Sequence, residues 1–427
     1  MKLLLLASAA MAVAAPAFAQ DHQTMPGMDH SQHAAQSSPA PSMAMTGALG
    51  DYAMSREASG TAWQPDASEH GGVMKHSGEW MLMGHVLLNG VYDRQSGPRG
   101  DEQAFVSGML MGMAQRPLGT GRLQLKAMLS PDPFMGREGY PLLLASGETA
   151  NGVDPLIDRQ HPHELFMELS ASVSHPIGDK ASAFFYAGLP GEPAFGPPAF
   201  MHRLSILDSP EAPISHHWLD STHIVMGVVT AGVTLGDFKL DASRFRGREP
   251  DQHRFNIETG ALDSTAARVS WNPSAAWSLQ ASWADLKSPE QLHPDEDQTK
   301  WSASAIYTRR LVNGGWWSTT AAWGRRSSGH LDLDAYVLES AVHPNLAWTV
   351  FARAERTDNN ELVGGGHGPA YTVGKASLGA VRDFRISEHT ALGLGGLYAV
   401  NFLPKALEPV YGGDPEGGMV FVRLKID

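Results

Sequence analysis

From Gly78 onward the chain breaks into short segments of alternating apolar and polar residues, and the connections between them alternate as well, a tight turn and then a long loop. In residues 165–174, Leu165, Met167, Leu169, Ala171 and Val173 share one face, while Glu168, Ser170, Ser172 and Ser174 share the other. Period two of this kind makes a strand with unlike faces. Trp277, Leu279, Ala281 and Trp283 repeat it, as do Val420, Val422, Leu424 and Ile426 opposite Arg423 and Lys425. Tight turns fall at residues 116–119, 176–179, 236, 272–274, 313–314, 343–345 and 387–388, with longer polar or Pro-rich stretches between them. That asymmetry belongs to an up-and-down barrel in an outer membrane, whose short turns face the periplasm. The expected fold is therefore all-β: a transmembrane β-barrel of about 16 antiparallel strands, with both termini on the short-turn side.

Tryptophan supplies an independent sign. Trp271 and Trp277 flank one tight turn, Trp316 and Trp317 follow another, and Trp348 follows a third. Amphipathic rings favour membrane interfaces, so these five are expected in one aromatic girdle. On the polar faces of their own strands, Arg268, Ser270, Arg353, Glu355, Arg423 and Lys425 are expected to point into the lumen.

Composition narrows the function classes. A formal net charge of -13 argues against nucleic acid as a partner, and the absence of Cys removes disulfides, thiolate metal sites and thiol nucleophiles together. Residues 1–19 read as a secretory signal peptide, with one Lys, a short apolar run and the ending Ala17-Phe18-Ala19. Beyond it no stretch reaches the roughly 18 consecutive apolar residues of a membrane-spanning helix. Residues 20–78 hold too few large apolar residues to offset the entropy of ordering, and are expected to form a disordered periplasmic tail. Residues 79–427 are expected to form the barrel.

The tail is rich in possible metal ligands. It spaces Met25, Met28, His30 and His33 closely, with His22 before them and Met43, Met45, His70, Met74 and His76 after. Thioethers suit Cu(I) and imidazoles suit Cu(II), so a flexible string of both fits copper collection in an oxidising compartment. The plainer reading is a solubilising linker.

Within the barrel, Met81, Met83 and His85 alternate on one expected strand and Met109, Met111 and Met113 on the next. Facing the lumen they form a thioether ladder; facing lipid or a plug they are gap fillers. The long loops add His161 and His163, then Met201, His202, Arg203, His216, His217 and His223. These histidines are candidates to converge on a metal or to narrow the pore, against the plainer reading of ordinary loop residues. Ser215, His216 and Asp220 invite a hydrolase triad, but no G-x-S-x-G elbow accompanies them.

The stretches MSREASGTAWQPD (54–66), LMGMAQRPLG (110–119), PLIDRQHPHELFMEL (155–169), FMHRLSILDSPEAPISHHWLDSTH (200–223) and FRGREPDQHRF (245–255) together resemble a family of uncharacterised outer-membrane proteins of Gram-negative bacteria. The resemblance implies a barrel and an outer-membrane location, with no established activity. The tail separately resembles the N-terminal region of copper-resistance outer-membrane proteins of the B type. The resulting expectation is a porin-like channel in contact with outer-membrane lipid and linked to copper handling or export, possible periplasmic copper-handling partners included. Copper would be ligand or cargo, and no cofactor is required. A generic small-solute porin is the alternative, and an outer-membrane hydrolase a further one.

Overall fold

The computed structural model describes residues 45–68, 71–312, 314–329, 331–345, 347–364 and 368–427. The strands in chain order are β1 (Val73–Ser77), β2 (Trp80–Gln95), β3 (Glu102–Leu118), β4 (Gly121–Leu129), β5 (Tyr140–Thr149), β6 (Pro155–Gln160), β7 (Phe166–Gly178), β8 (Ala181–Gly188), β9 (Val228–Leu235) and β10 (Phe238–Phe245). They continue with β11 (Ser264–Ser274), β12 (Trp277–Leu286), β13 (Gln298–Arg310), β14 (Trp316–Ser328), β15 (Leu331–Asn345), β16 (Trp348–Asn359), β17 (Tyr371–Arg385), β18 (Thr390–Phe402) and β19 (Glu416–Ile426).

Sixteen of these, β2–β4 and β7–β19, pair antiparallel with their neighbours, and β19 pairs back onto β2 from Gly417 opposite Gln95 to Ile426 opposite Val86. Closure leaves no open edge among these sixteen strands, which a hydrocarbon environment would not tolerate. Side chains obey the period-two pattern. Leu378, Leu394, Val420 and Val422 point outward and are exposed, whereas Arg268, Ser270, Arg353, Glu355 and Arg423 are buried in the lumen. Lys425 shares the inner face and pairs with Asp427 at 2.5 Å.

Trp271, Trp277, Trp317 and Trp348 are exposed at the short-turn end. Phe238 stacks on Trp271 with ring centres 5.5 Å apart, and Tyr307 packs between Trp277 and Trp317. Trp316 departs from the expected girdle. It lies on the inner face of β14, where it stacks on His343 with ring centres 5.6 Å apart, because adjacent strand positions point to opposite sides.

The expected tail boundary at residue 78 needs correction. Residues 1–44 lie outside the described residues, but residues 46–68 pack inside the barrel, with Ala48, Leu49, Trp63 and Ser68 buried. Few apolar side chains are needed because polar contacts hold the segment. Thr61 Oγ1 donates to Asp241 at 2.6 Å, Asn272 donates to the Gln64 carbonyl at 2.8 Å, and Arg56 forks onto Asp66 at 2.6 and 2.8 Å. Arg56 also lies 4.9 Å from the Trp63 ring centre. After this segment β1 pairs with the start of β2, and its Met74 and His76 are exposed.

Three further features concern connections. Strand β9 begins at Val228, and residues 221–227 belong to an inner loop. The β14–β15 connection covers only residues 329–330, although it lies at the long-loop end. Finally, β5 and β6 form a separate hairpin inside the barrel, burying Leu142, Leu143 and Leu144 against Phe351 and Phe421 of the wall.

Candidate functional site

Two long segments turn inward from the loop end. Residues 130–165 carry the β5–β6 hairpin, and residues 189–227 cross the lumen to the far wall. Charge pairing holds the crossing in place. Arg203 forks onto Glu339 of β15 at 2.7 Å through both Nε and Nη2, Ser215 donates to Glu355 of β16 at 2.7 Å, and Asp208 pairs with Arg423 of β19. Such inner-wall charges would be costly unpaired, so the loop and the wall neutralise each other.

The crossing brings distant histidines together. His161 and His163 arrive on the first segment. On the second, His216 and His217 open the short helical turn His216–Leu219, and His223 closes the next turn. Ring centres stand 5.1 Å apart for His216 and His223, 5.3 Å for His163 and His223, 5.5 Å for His216 and His217, and 5.6 Å for His161 and His217. Phe200 packs against His163, His216 and His223. Gly147 makes room for His217: at φ 110° its backbone suits glycine, and a Cβ there would lie 2.6 Å from the imidazole.

Hydrogen bonds orient these rings. His163 Nδ1 is 2.7 Å from Asp132 Oδ2, His216 Nδ1 is 2.8 Å from Asp220 Oδ1, and His223 Nδ1 is 2.6 Å from the Asp220 carbonyl oxygen. Those oxygens accept, so a neutral ring puts its proton on Nδ1 and its lone pair on Nε2. Burial, reinforced by neighbouring charges, pushes the pKa of His161 and His223 well below the ordinary value; His216 is also lowered, burial outweighing Asp220. Burial disfavours charge on His217 too, yet the Glu249 carboxylate 3.7 Å away prevails and raises it. The Nε2 atoms of His163, His217 and His223 are buried without a hydrogen-bond partner.

A ring whose Nδ1 is anchored by an oxygen while Nε2 is bare is the usual form of a metal-binding histidine. Among the described residues no three His, Asp or Glu side chains stand ready to hold an ion as placed. The spacing is nonetheless short: two imidazoles sharing an ion at about 2.0–2.1 Å have ring centres roughly 5 Å apart. The fold thus gathers five of the six loop histidines named from sequence. His202 is buried at the end of the turn Phe200–His202.

The triad that Ser215, His216 and Asp220 invite does not form. His216 and Asp220 do pair, but Ser215 gives its hydroxyl proton to Glu355 instead of to His216.

The thioether ladder points inward. Met81 and His85 on β2 and Met109 and Met113 on β3 are buried; Met83 and Met111 share their faces, with Met83 opposite Met113 and His85 opposite Met111. The ladder climbs from the short-turn end. His22, Met25, Met28, His30, His33, Met43 and His70 lie outside the described residues.

Sequence reasoning missed the anchors. Asp132 is 31 residues from His163, and nothing in the sequence announces that pairing. Asp220, four residues after His216, had a usable signal in its spacing. Met128, Met167 and Met226 were missed as well.

No protein-family model matches the sequence, and no curated protein is significantly similar to it. Solved structures do resemble the barrel. OmpF of Salmonella typhi, in complex with daunomycin, aligns over 83% of this chain and 100% of its own with a TM-score of 0.51 and 10% identity. An anion-selective porin from Comamonas acidovorans aligns over 81% and 99% with a TM-score of 0.47 and 14% identity. OprB of Pseudomonas putida aligns over 81% and 94%, with a TM-score of 0.48 and 9% identity. The OmpF alignment places this chain in the outer-membrane porin fold.

Proposed function

We propose that this barrel sits in the outer membrane of a Gram-negative bacterium and passes copper ions through its lumen. The observation that carries the reading is the luminal group of five histidines, three with buried and unpartnered Nε2 atoms. Neutral imidazole is a good copper ligand, and anchoring through Nδ1 raises its basicity. The tail's His22, Met25, Met28, His30 and His33 enter by donor chemistry alone, as a periplasmic collector that exchanges copper with a periplasmic copper-handling protein. The barrel has no nucleotide to use, so flow follows concentration or a partner's energy. The aromatic girdle and exposed apolar wall support contact with outer-membrane lipid. A wide small-solute pore is less favoured, because ion-paired loops cross the lumen.

The test is reconstitution of the full chain into liposomes. Copper influx should exceed sugar-driven swelling by a wide margin, and a deletion strain should show altered copper tolerance. Ready passage of sugars, without copper selectivity and with unchanged tolerance, would establish the generic porin instead.

A further inference from the structure

Beside the histidines lies a cluster of different chemistry. Met109, Met128, Met167 and Met226 are four of the six buried residues in one luminal cluster, and Met111 and Met201 pack against it. They come from β3, β4, β7 and the crossing loop, so the barrel alone brings them together. A register shift between Met128 and Leu129 opposite the start of β7 accompanies the placement of Met167. Met201 follows Phe200, and Met226 follows His223 by three residues, so the chain runs from one cluster directly into the other.

Packing demand alone does not explain this choice of residue. The larger luminal cluster contains 21 buried residues, of which Met419 is the only methionine; Leu, Val, Phe, Ala, Ile and Tyr fill the rest, with Met135 and Met201 packed against it. The same barrel therefore fills apolar space with little sulfur elsewhere. Thioethers are neutral, soft and polarizable, and they select Cu(I) over harder ions. A monovalent ion held by neutral sulfur also avoids much of the cost of burying a divalent charge. Lys126, the nearest wall cation in register, is matched by Glu168 at 3.7 Å. An open groove of about 550 Å³, lined by Lys126, Leu169, Ser170, Gly188, Met226 and Leu262 among others, reaches the cluster at Met226.

We propose that Met109, Met111, Met128, Met167, Met201 and Met226 form a binding site for Cu(I), fed by the ladder of Met81, Met83 and Met113. The proposal deepens the copper reading, and rests on it, by assigning the oxidation state and a sulfur site apart from the histidines. No electron transfer is involved, since the ion enters and leaves as Cu(I).

The experiment titrates the full chain, in detergent, with Cu(I) under anaerobic conditions and with Ag(I) as a redox-inert substitute. The starting protein carries Met25→Ser, Met28→Ser, His30→Ser and His33→Ser, so that the tail contributes equally little in every arm. Adding Met109→Leu, Met128→Leu and Met226→Leu, which nearly conserves volume, should remove about one Ag(I) equivalent per chain together with its sulfur shell in X-ray absorption. Gel mobility should still shift on heating. His163→Ala with His223→Ala should leave that sulfur shell intact. Should the leucine variant fail to fold, selenomethionine-labelled starting protein gives the same answer through an Ag–Se shell in which several seleniums share one ion. An unchanged Ag(I) equivalent in a folded leucine variant overturns the proposal, as does labelled protein without that shell. Copper influx without any sulfur-bound ion defeats this site and leaves the channel standing, whereas a sulfur-bound ion without copper influx defeats the channel alone.

Discussion

Nδ1 of His216 lies 2.8 Å from Oδ1 of Asp220, and the second oxygen of that carboxylate accepts from Arg203 at 2.6 Å. Arg203 in turn grips Glu339 on β15, so the barrel wall orients an imidazole in the lumen through two intervening residues. Despite burial, Arg203 and His216 hold Asp220 well below the ordinary carboxylate range. Replacing Asp220 with Ala removes one of the two carboxylates that hold a fully buried arginine and frees the ring. Because Glu339 still compensates Arg203, the loss should be smaller than the roughly 3–5 kcal/mol of a buried charge left without any partner. The heat-shift midpoint should fall, and luminal Cu(II) affinity with it; a variant matching the parent in both would remove Asp220 from the anchoring role.

Protonation of the cluster should be split. His161, His216 and His223 should titrate below the ordinary value of 6.5 and His217 above it, readable from imidazole carbon shifts in labelled protein. The three lowered rings contribute stability that is complete above 6.5 and is lost as pH falls from there through their folded values. His217 has the opposite sign, contributing stability present below 6.5 and lost as pH rises through its folded value. Glu148, pushed by burial from 4.5 up to about 7, contributes stability present below 4.5 and lost as pH rises through about 7. Because these oppose one another, ring shifts are a better measure than overall melting. Copper binding in the lumen should persist at about pH 6, where free imidazole is largely protonated. Four rings titrating together near 6.5 would contradict this.

Glu211 of the crossing loop faces two wall cations. Lys375 Nζ stands 2.5 Å from Oε1, a charge contact without hydrogen-bond alignment, and Arg353 stands 3.9 Å from Oε2. Glu211→Ala leaves both cations facing a loop that no longer neutralises them. The loop should loosen, and single-channel conductance in planar bilayers should rise while the barrel still shifts on heating. Conductance equal to that of the parent would show that this contact does not close the lumen.

Leu378 lies mid-strand on the outer face, 61% exposed and opposite Tyr398 and Ala352. Arginine at the bilayer midplane of a barrel costs about 2–4 kcal/mol. Leu378→Arg should lower folding stability in vesicles by that order, measured by denaturant titration, and Leu378→Ala should cost less. Equal losses in the two variants would mean that this face does not meet lipid.

The barrel itself was legible in the sequence because strand periodicity and turn placement are local. Arg268, Arg353 and Arg423 point inward simply because they alternate with apolar neighbours. Trp316 shows the limit of that reading, since its proximity to a turn did not tell which of two adjacent positions faces lipid. Residues 46–68 were not legible, because long-range polar contacts such as Thr61 with Asp241 secure them where composition alone suggested disorder; nor was the inner hairpin, whose leucines pack on wall residues distant in sequence. The residue types suited to copper could be named from sequence, but their meeting could not. His163 reaches Asp132 because residues 130–165 fold back on themselves inside the barrel, and Met109 of β3 joins Met226 in one cluster because the crossing loop passes along that wall. Local pattern determined the wall; closure of the sheet decided what it encloses.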